Sequence, residues 1–127
     1  IQYDEDLDTL FLNYTSSVPN DQTFIQINTE VLNHFKKLNT HKFAVDLRKM
    51  GVISLTAQQW VVENLFPGMI QHLKGKRLYH AQLLDPKEIF SKVSASNIKS
   101  KSQTLPETFD MEQFSDYEAL KKKLMSI

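Results

Sequence analysis

The 127-residue sequence contains no cysteine, only three glycines and no excess of charge of either sign. The absence of cysteine excludes disulfides, thiol catalysis and thiolate metal sites, and it agrees with a cytoplasmic protein. With so few glycines, the sequence has none of the glycine-rich loops that cradle phosphates. Lys plus Arg and Asp plus Glu each total 15, so no overall field would attract nucleic acid or an anionic membrane.

Long apolar runs are also missing. No run approaches the roughly 20 residues that span a bilayer, and no secretory signal is visible. The sequence begins with Ile1 rather than Met, which leaves open a removed targeting segment. We therefore predict a protein without a membrane span that acts in the cytoplasm.

The sequence contains no recognisable catalytic constellation. Its four histidines lack the i, i+4 pairing and the carboxylate spacing of metal ligands, so no metal site is predicted. No nucleophile and base can be paired from motifs, and we expect no cofactor and no enzymatic activity. An enzyme would require Asp46 or His80 to line a closed cleft with a shifted pKa.

Five short segments have the composition and alternation of β-strands. In the second, Leu10, Leu12 and Tyr14 fall on one face and Phe11 on the other, as in a partly covered strand. An acidic turn joins the first two segments into an antiparallel hairpin. The predicted strands are residues 1–3, 10–14, 42–47, 77–84 and 109–114.

Four segments combine helical spacing with capping residues. Asn20 caps the first helix, which ends near Asn39, and Ser54 caps the second, residues 55–73, which Gly75 closes. Asp85 and Pro86 open the third helix, which has Ile89 and Phe90 on its apolar side. A loop is predicted over residues 99–108. A capping box at Ser115 opens the last helix.

The resulting order, ββαβαβαβα, predicts a single α/β domain over residues 1–127. Consecutive strand, helix, strand steps require parallel strands joined by right-handed crossovers. Because the N-terminal hairpin is antiparallel, the five-stranded sheet is expected to be mixed but mostly parallel.

This order, with Asp46-Leu47 followed by Val52-Ile53-Ser54-Leu55-Thr56 and a helix, resembles the STAS domains of sulfate transporters and sporulation anti-sigma-factor antagonists. The likeness is greatest to the SpoIIAA-like group of small stand-alone bacterial domains, and it extends over nearly the whole chain as architecture. It implies a bacterial, regulatory protein that acts through protein contact. In the antagonists a serine at this helix N-terminus is phosphorylated. The corresponding position here is Leu55, and a shift of one residue makes Ser54 or Thr56 the acceptor, although Ser54 is equally explained as a helix cap.

Trp60 is the first candidate for an interface residue. At about 100° per residue it lies nearly opposite the apolar side of the second helix, which includes Phe66 and Met69. Tryptophan is enriched at interface hot spots, which favours a role as an anchor. The alternative is that Pro67 kinks the helix, or that a loop folds over the ring.

The same proline suggests a second candidate site. A bend at Pro67-Gly68 could open an apolar groove lined by Phe66 and Met69 against the first helix, suited to a small hydrophobic ligand. Ordinary core packing is the competing interpretation of those two side chains.

Asp46, Arg48 and Lys49 follow the third strand, at the edge where parallel sheets bind ligands. Together with the next helix N-terminus they could hold an anion such as a phosphate or a carboxylate. The competing interpretation is that Asp46 satisfies loop amides while the two basic side chains are solvated.

These observations predict a non-enzymatic domain that recognises a protein partner, or a second copy of itself, through the second helix and the loop before it. Trp60 would anchor the contact, and Arg48 and Lys49 would steer an acidic partner. The alternative is a protein that binds a small hydrophobic or anionic ligand between the second helix and the sheet.

Overall fold

The chain folds as an α/β protein with a five-stranded mixed sheet and four helices, which confirms the predicted fold class. The structure is a computed structural model that describes the backbone of residues 1–127 and the side chains of residues 1–88 and 92–127. The strands are β1 (Gln2–Asp4), β2 (Thr9–Asn13), β3 (Lys42–Asp46), β4 (Leu78–Leu83) and β5 (Phe109–Phe114).

The helices are α1 (Asp21–Lys36), α2 (residues 55–73), α3 (Ile89–Lys101) and α4 (Tyr117–Met125). The helix α2 is continuous but not uniform: it begins as an α-helix at Leu55–Trp60, passes through a π-helical turn at Val61–Leu65, and ends as an α-helix at Phe66–Leu73.

The strands lie in the sheet in the order in which they occur in the chain, β1-β2-β3-β4-β5. The first pair is antiparallel and the other three are parallel, so that Phe43 of β3 lies between Leu10 of β2 and His80 of β4. Since each new strand is added on the same side of the last, right-handed crossovers place α1, α2 and α3 on one face of the sheet. Only α4, which follows the last strand, reaches the other face.

The two faces carry separate cores. On the face covered by α1 to α3, the core includes Leu10, Leu12, Phe43 and Leu78 from the strands. On the opposite face, a smaller cluster joins Ala44, Ala81 and Leu83 to Leu120 and Leu124 of α4. The predicted alternation of β2 is observed, because Phe11 packs against this second cluster.

Besides the end of α1, which lies at Lys36 rather than near Asn39, three further predicted boundaries were wrong. The helix α3 begins at Ile89 rather than at Pro86, because Asp85 closes a turn in which its carboxylate accepts the Lys87 amide at 2.9 Å. The segment predicted as a loop from residue 99 continues α3 to Lys101 and then forms a 3₁₀ turn, Ser102–Thr104. The buried Ser102 hydroxyl donates to the Ile98 carbonyl at 2.6 Å, which satisfies it within the helix.

The third wrong boundary is at α4, where Asp116 rather than Ser115 is the N-cap, accepting the Ala119 amide at 3.2 Å. The expected apolar positions Ile89 and Phe90 lie outside the described side chains. Of the helices in the described part of the chain, none is long and apolar enough to cross a membrane.

Candidate functional site

The loop after β3 is closed by an ion pair between two of the predicted site residues. Asp46 accepts the backbone amide of Arg48 at 3.1 Å and its guanidinium at 3.0 Å from Nε and 2.7 Å from the terminal nitrogen. These hydrogen bonds raise the pKa of the Arg48 guanidinium above its usual value. Arg48 is therefore occupied, and of the predicted basic pair only Lys49, which is exposed, is left to steer a partner or hold an anion.

Ser54 begins α2, as predicted, but its hydroxyl has a second role. Its oxygen accepts the Ala57 amide at 3.0 Å, and the hydroxyl donates to the Asp21 carboxylate, with oxygens at 2.7 and 2.8 Å. This contact joins the N-termini of α1 and α2. A phosphate on Ser54 would remove the cap and place a dianion beside Asp21, so the geometry disfavours modification there. Thr56 is exposed in the first turn of α2.

Three large apolar side chains are exposed around this helix N-terminus: Val52, Leu55 and Val93, with 58%, 65% and 47% of their surface accessible. The loop and α3 are tied together here, since the Ile53 amide donates to the Ser94 hydroxyl at 3.1 Å. That bond joins the residue after Val52 to the residue after Val93. We refer to these three residues as the α2–α3 apolar surface.

Trp60 borders this surface without being fully part of it. It is half-buried against the main core, and it lines a depression of about 430 Å³ that also includes Leu55, Thr56 and Lys101. The prediction that Trp60 lies opposite the core-facing side of the helix was wrong. The ring belongs partly to the core and partly to the surface.

The π-helical turn explains this error. The Phe66 amide donates to the Val61 carbonyl five residues earlier, so the helix accommodates one extra residue. The angle between Trp60 and Met69 then falls from about 180° to about 80°. Pro67 immediately follows this turn and has no backbone N–H to donate to a carbonyl of the turn. The Asn64 side chain donates to the Trp60 carbonyl at 3.1 Å.

Phe66 and Met69 are fully buried, which agrees with ordinary core packing and not with an open groove. Gly68 lets α1 approach closely, because a Cβ there would meet a Leu32 methyl at 2.8 Å. The cavity that remains beside Phe66, between the helices and the sheet, measures about 20 Å³. It has room for about one water molecule and is far smaller than a ligand pocket.

A buried polar chain crosses the strands on the same face, and sequence reasoning missed it. His80 Nδ1 lies 2.9 Å from the Phe43 carbonyl, Gln82 Nε2 lies 3.2 Å from His80 Nε2, and Gln113 donates to Gln82 at 3.0 Å. Burial lowers the pKa of His80 to about 4. The ring is therefore neutral, with Nδ1–H donating and Nε2 accepting. The signal was the alternation of the polar residues 80 and 82 in the fourth predicted strand.

The shifted pKa of His80 does not by itself indicate catalysis. Phe43 stacks on the ring with centroids 4.8 Å apart, and Phe66 lies at 5.0 Å on a tilted plane. The cavity that adjoins it measures about 20 Å³, which is too small for a substrate. Among the described residues, no group of His, Cys, Asp and Glu side chains could hold a metal ion.

A cleft of about 340 Å³ lies next to the Asp46–Arg48 pair on the α4 face of the sheet. It lies between β1 and α4, with strand residues as its floor, and it was not predicted from the sequence. Its lining residues are Gln2, Asp4, Phe11, Asn13, Ala44, Val45, Asp46, Arg48, Leu83, Tyr117 and Leu120.

Comparison with known proteins adds no assignment to these sites. No family model, no curated protein and no solved structure matches this chain. The resemblance to STAS domains therefore rests on the element order and on residues 46–56 of the sequence, and it stays a prediction.

Proposed function

We propose that this chain is a STAS-like, non-enzymatic and regulatory domain that acts in the cytoplasm through protein–protein contact, and that the α2–α3 apolar surface is its contact site. The single observation that carries the proposal is the exposure of Val52, Leu55 and Val93 where the loop before α2 is tied to α3 by the Ile53–Ser94 hydrogen bond. Exposed apolar side chains grouped in one place are typical of interaction sites, whereas isolated ones need no explanation.

Two neighbouring features support this choice of surface. The depression beside Leu55 offers a recess for a partner side chain, and the half-buried Trp60 gives its wall a rigid aromatic surface. Lys49 lies exposed in the adjoining loop and could steer an acidic partner. The partner is either another protein or a second copy of this chain.

The alternative, a small hydrophobic or anionic ligand between α2 and the sheet, has less support. The space there is about 20 Å³, and Arg48 is already paired with Asp46. A contact surface needs neither an internal cavity nor a free guanidinium.

The test uses Leu55 rather than Trp60, because truncation of Trp60 would also disturb the core. The double variant Val52→Ser/Leu55→Ser should unfold within about 0.5 kcal/mol of the wild type, since both side chains are exposed. In sedimentation velocity over a range of concentrations, and in retention of proteins from extracts of its own cells, it should lose the wild-type interaction.

Met125→Ser is the matched control, because Met125 is 68% exposed on α4, on the other side of the sheet. It removes exposed apolar surface from a different place. If both variants keep the interaction, or both lose it equally, the α2–α3 apolar surface is not the contact site.

A further inference from the structure

The cleft between β1 and α4 has the size and position of a small-molecule site. Its volume of about 340 Å³ lies within the range of roughly 300–1,000 Å³ that holds small ligands. It opens towards the carboxyl ends of the parallel strands β2, β3 and β4, where such sheets usually bind ligands. It exists because α4 alone covers this face and packs over β4 and β5, leaving the side towards β1 open.

The walls and floor of the cleft can hold an apolar body. Phe11, Ala44 and Leu83 form the floor, all on the α4 face of their strands. Leu120 and the exposed ring of Tyr117 form the α4 wall. An aromatic or aliphatic group placed between Phe11 and Tyr117 would cover apolar surface on both sides.

The charged groups of the cleft favour a cation. The lining residues include two carboxylates, Asp4 and Asp46, and one guanidinium, Arg48. That guanidinium is held by Asp46 in two hydrogen bonds, whereas the contact of Asp4 is the neutral Leu7 amide at 3.0 Å. Asp85 acts on Arg48 electrostatically as well, so another negative charge lies near the rim.

We propose that this cleft binds a small organic cation, an amine whose apolar body lies between Phe11 and Tyr117 and whose ammonium group faces Asp4 and Asp46. The aromatic rings add cation–π attraction to the carboxylate charge. This site is separate from the α2–α3 apolar surface, which lies on the other face of the sheet, and it does not depend on the proposed contact function.

Three probes that share one skeleton and differ in charge test the proposal: phenethylamine, 2-phenylethanol and phenylacetate. Each is titrated to 10 mM, roughly the weak limit for ligands of this size, into the ¹⁵N-labelled full chain while amide shifts are recorded. We expect saturable shifts at Asn13, Ala44 and Leu83 with phenethylamine, and binding at least about tenfold weaker for the other two. Equal affinity for the three probes, tighter binding of phenylacetate, or no saturable shift with phenethylamine would overturn the proposal.

Two variants separate the roles of the carboxylates. Asp4→Asn keeps the acceptor for the Leu7 amide and should weaken phenethylamine binding by about tenfold without strengthening phenylacetate. Asp46→Asn keeps an acceptor for the Arg48 amide but releases the guanidinium, so the preference should move towards phenylacetate.

Asp110→Asn is the matched control for net charge. Asp110 lies on the same face of the sheet but in β5, paired with Arg77 at 3.0 Å and outside the cleft. It changes the charge of the protein by the same amount, and its phenethylamine affinity should equal that of the wild type. If Asp110→Asn weakens binding as much as Asp4→Asn, the attraction is a general charge effect and the cleft is not the site.

Discussion

The two faces of the sheet differ in how completely they are covered. On one face three helices pack against the strands, and the cavity beneath them at Phe66 measures about 20 Å³; on the other, one helix leaves a cleft of about 340 Å³. The difference follows from topology, because sequential strand order with right-handed crossovers places every crossover helix on the same face. A fold of this kind has one closed face and one that a single terminal helix can only partly cover.

The chemistry of the two faces differs accordingly. The polar side chains on the closed face, His80, Gln82 and Gln113, are neutral and bonded to one another. The carboxylates of Asp4 and Asp46 line the cleft on the open face, where water can solvate them. The closed face is expected to hold most of the stability, and the open face has room for binding.

The largest expected effect compares a phenylalanine from each face. Phe66→Ala removes a fully buried ring that packs at 4.8 Å from Phe109 and 5.0 Å from His80, and it should cost about 3–5 kcal/mol. Phe11→Ala removes a half-buried ring from the cleft floor and should cost about 1 kcal/mol. Urea unfolding at pH 7 measures both. Equal costs would mean that the α4 face is packed as firmly as the other.

A second effect of intermediate size comes from His80 on the closed face. The folded protein keeps the ring neutral down to a pKa of about 4, whereas the unfolded chain takes up a proton below its ordinary pKa of 6.5. Stability is therefore lost as the pH falls from 6.5 towards 4, at up to about 1.4 kcal/mol per pH unit. Between pH 7 and pH 5 the wild type should lose about 2 kcal/mol more than His80→Gln.

The control for this pH dependence is His34→Gln, which changes an exposed histidine on α1. Its free energy of unfolding should stay close to that of the wild type at every pH, because the substituted side chain is exposed. A His80→Gln variant that loses stability as steeply as the wild type between pH 7 and pH 5 would show that His80 is protonated in the fold.

The fold class was predictable from the sequence because its signals are local. Caps at Asn20 and Ser54, and the alternation in β2, each depend on residues a few positions apart. The boundaries at Ile89 and Asp116 were less predictable, since neighbouring Asp and Ser residues compete to cap the same turn. Pro67 indicated from the sequence that α2 would be irregular near its middle. It did not indicate that the irregularity would be a π-helical turn.

The candidate sites were less predictable because they depend on which strands are neighbours. Asp46 and Arg48 were placed at a strand end correctly, but the cleft also requires Gln2 and Asp4 from β1 and Tyr117 from α4. Those residues come from the two ends of the chain, and only the strand order brings them to one face. Trp60 was misplaced relative to Met69, since one extra residue in a helical turn rotates everything before it relative to everything after it.

The smallest effect tests how the open face is held together. Lys42 is buried at the start of β3, and its ammonium donates to the carbonyls of Leu124 at 2.8 Å and Ile127 at 3.0 Å, at the C-terminal end of α4. Lys42→Met keeps the length of the side chain and removes both bonds, which should cost about 1–2 kcal/mol. The loss should be local, so amide exchange in α4 should become about 5–30-fold faster while α1 is unchanged.

Lys122→Met is the control, because Lys122 lies in the same last turn of α4 but is exposed, and its exchange should match the wild type. If Lys42→Met speeds exchange equally in α1 and α4, the two faces unfold as one cooperative unit and the open face is not the weaker part. If the change is confined to α4, this helix unfolds locally, separately from the rest of the protein. Phenethylamine bound in the cleft would contact α4 at Tyr117 and Leu120, so it should slow amide exchange of α4 in the wild type. Such slowing would link the stability of the open face to occupancy of the cleft.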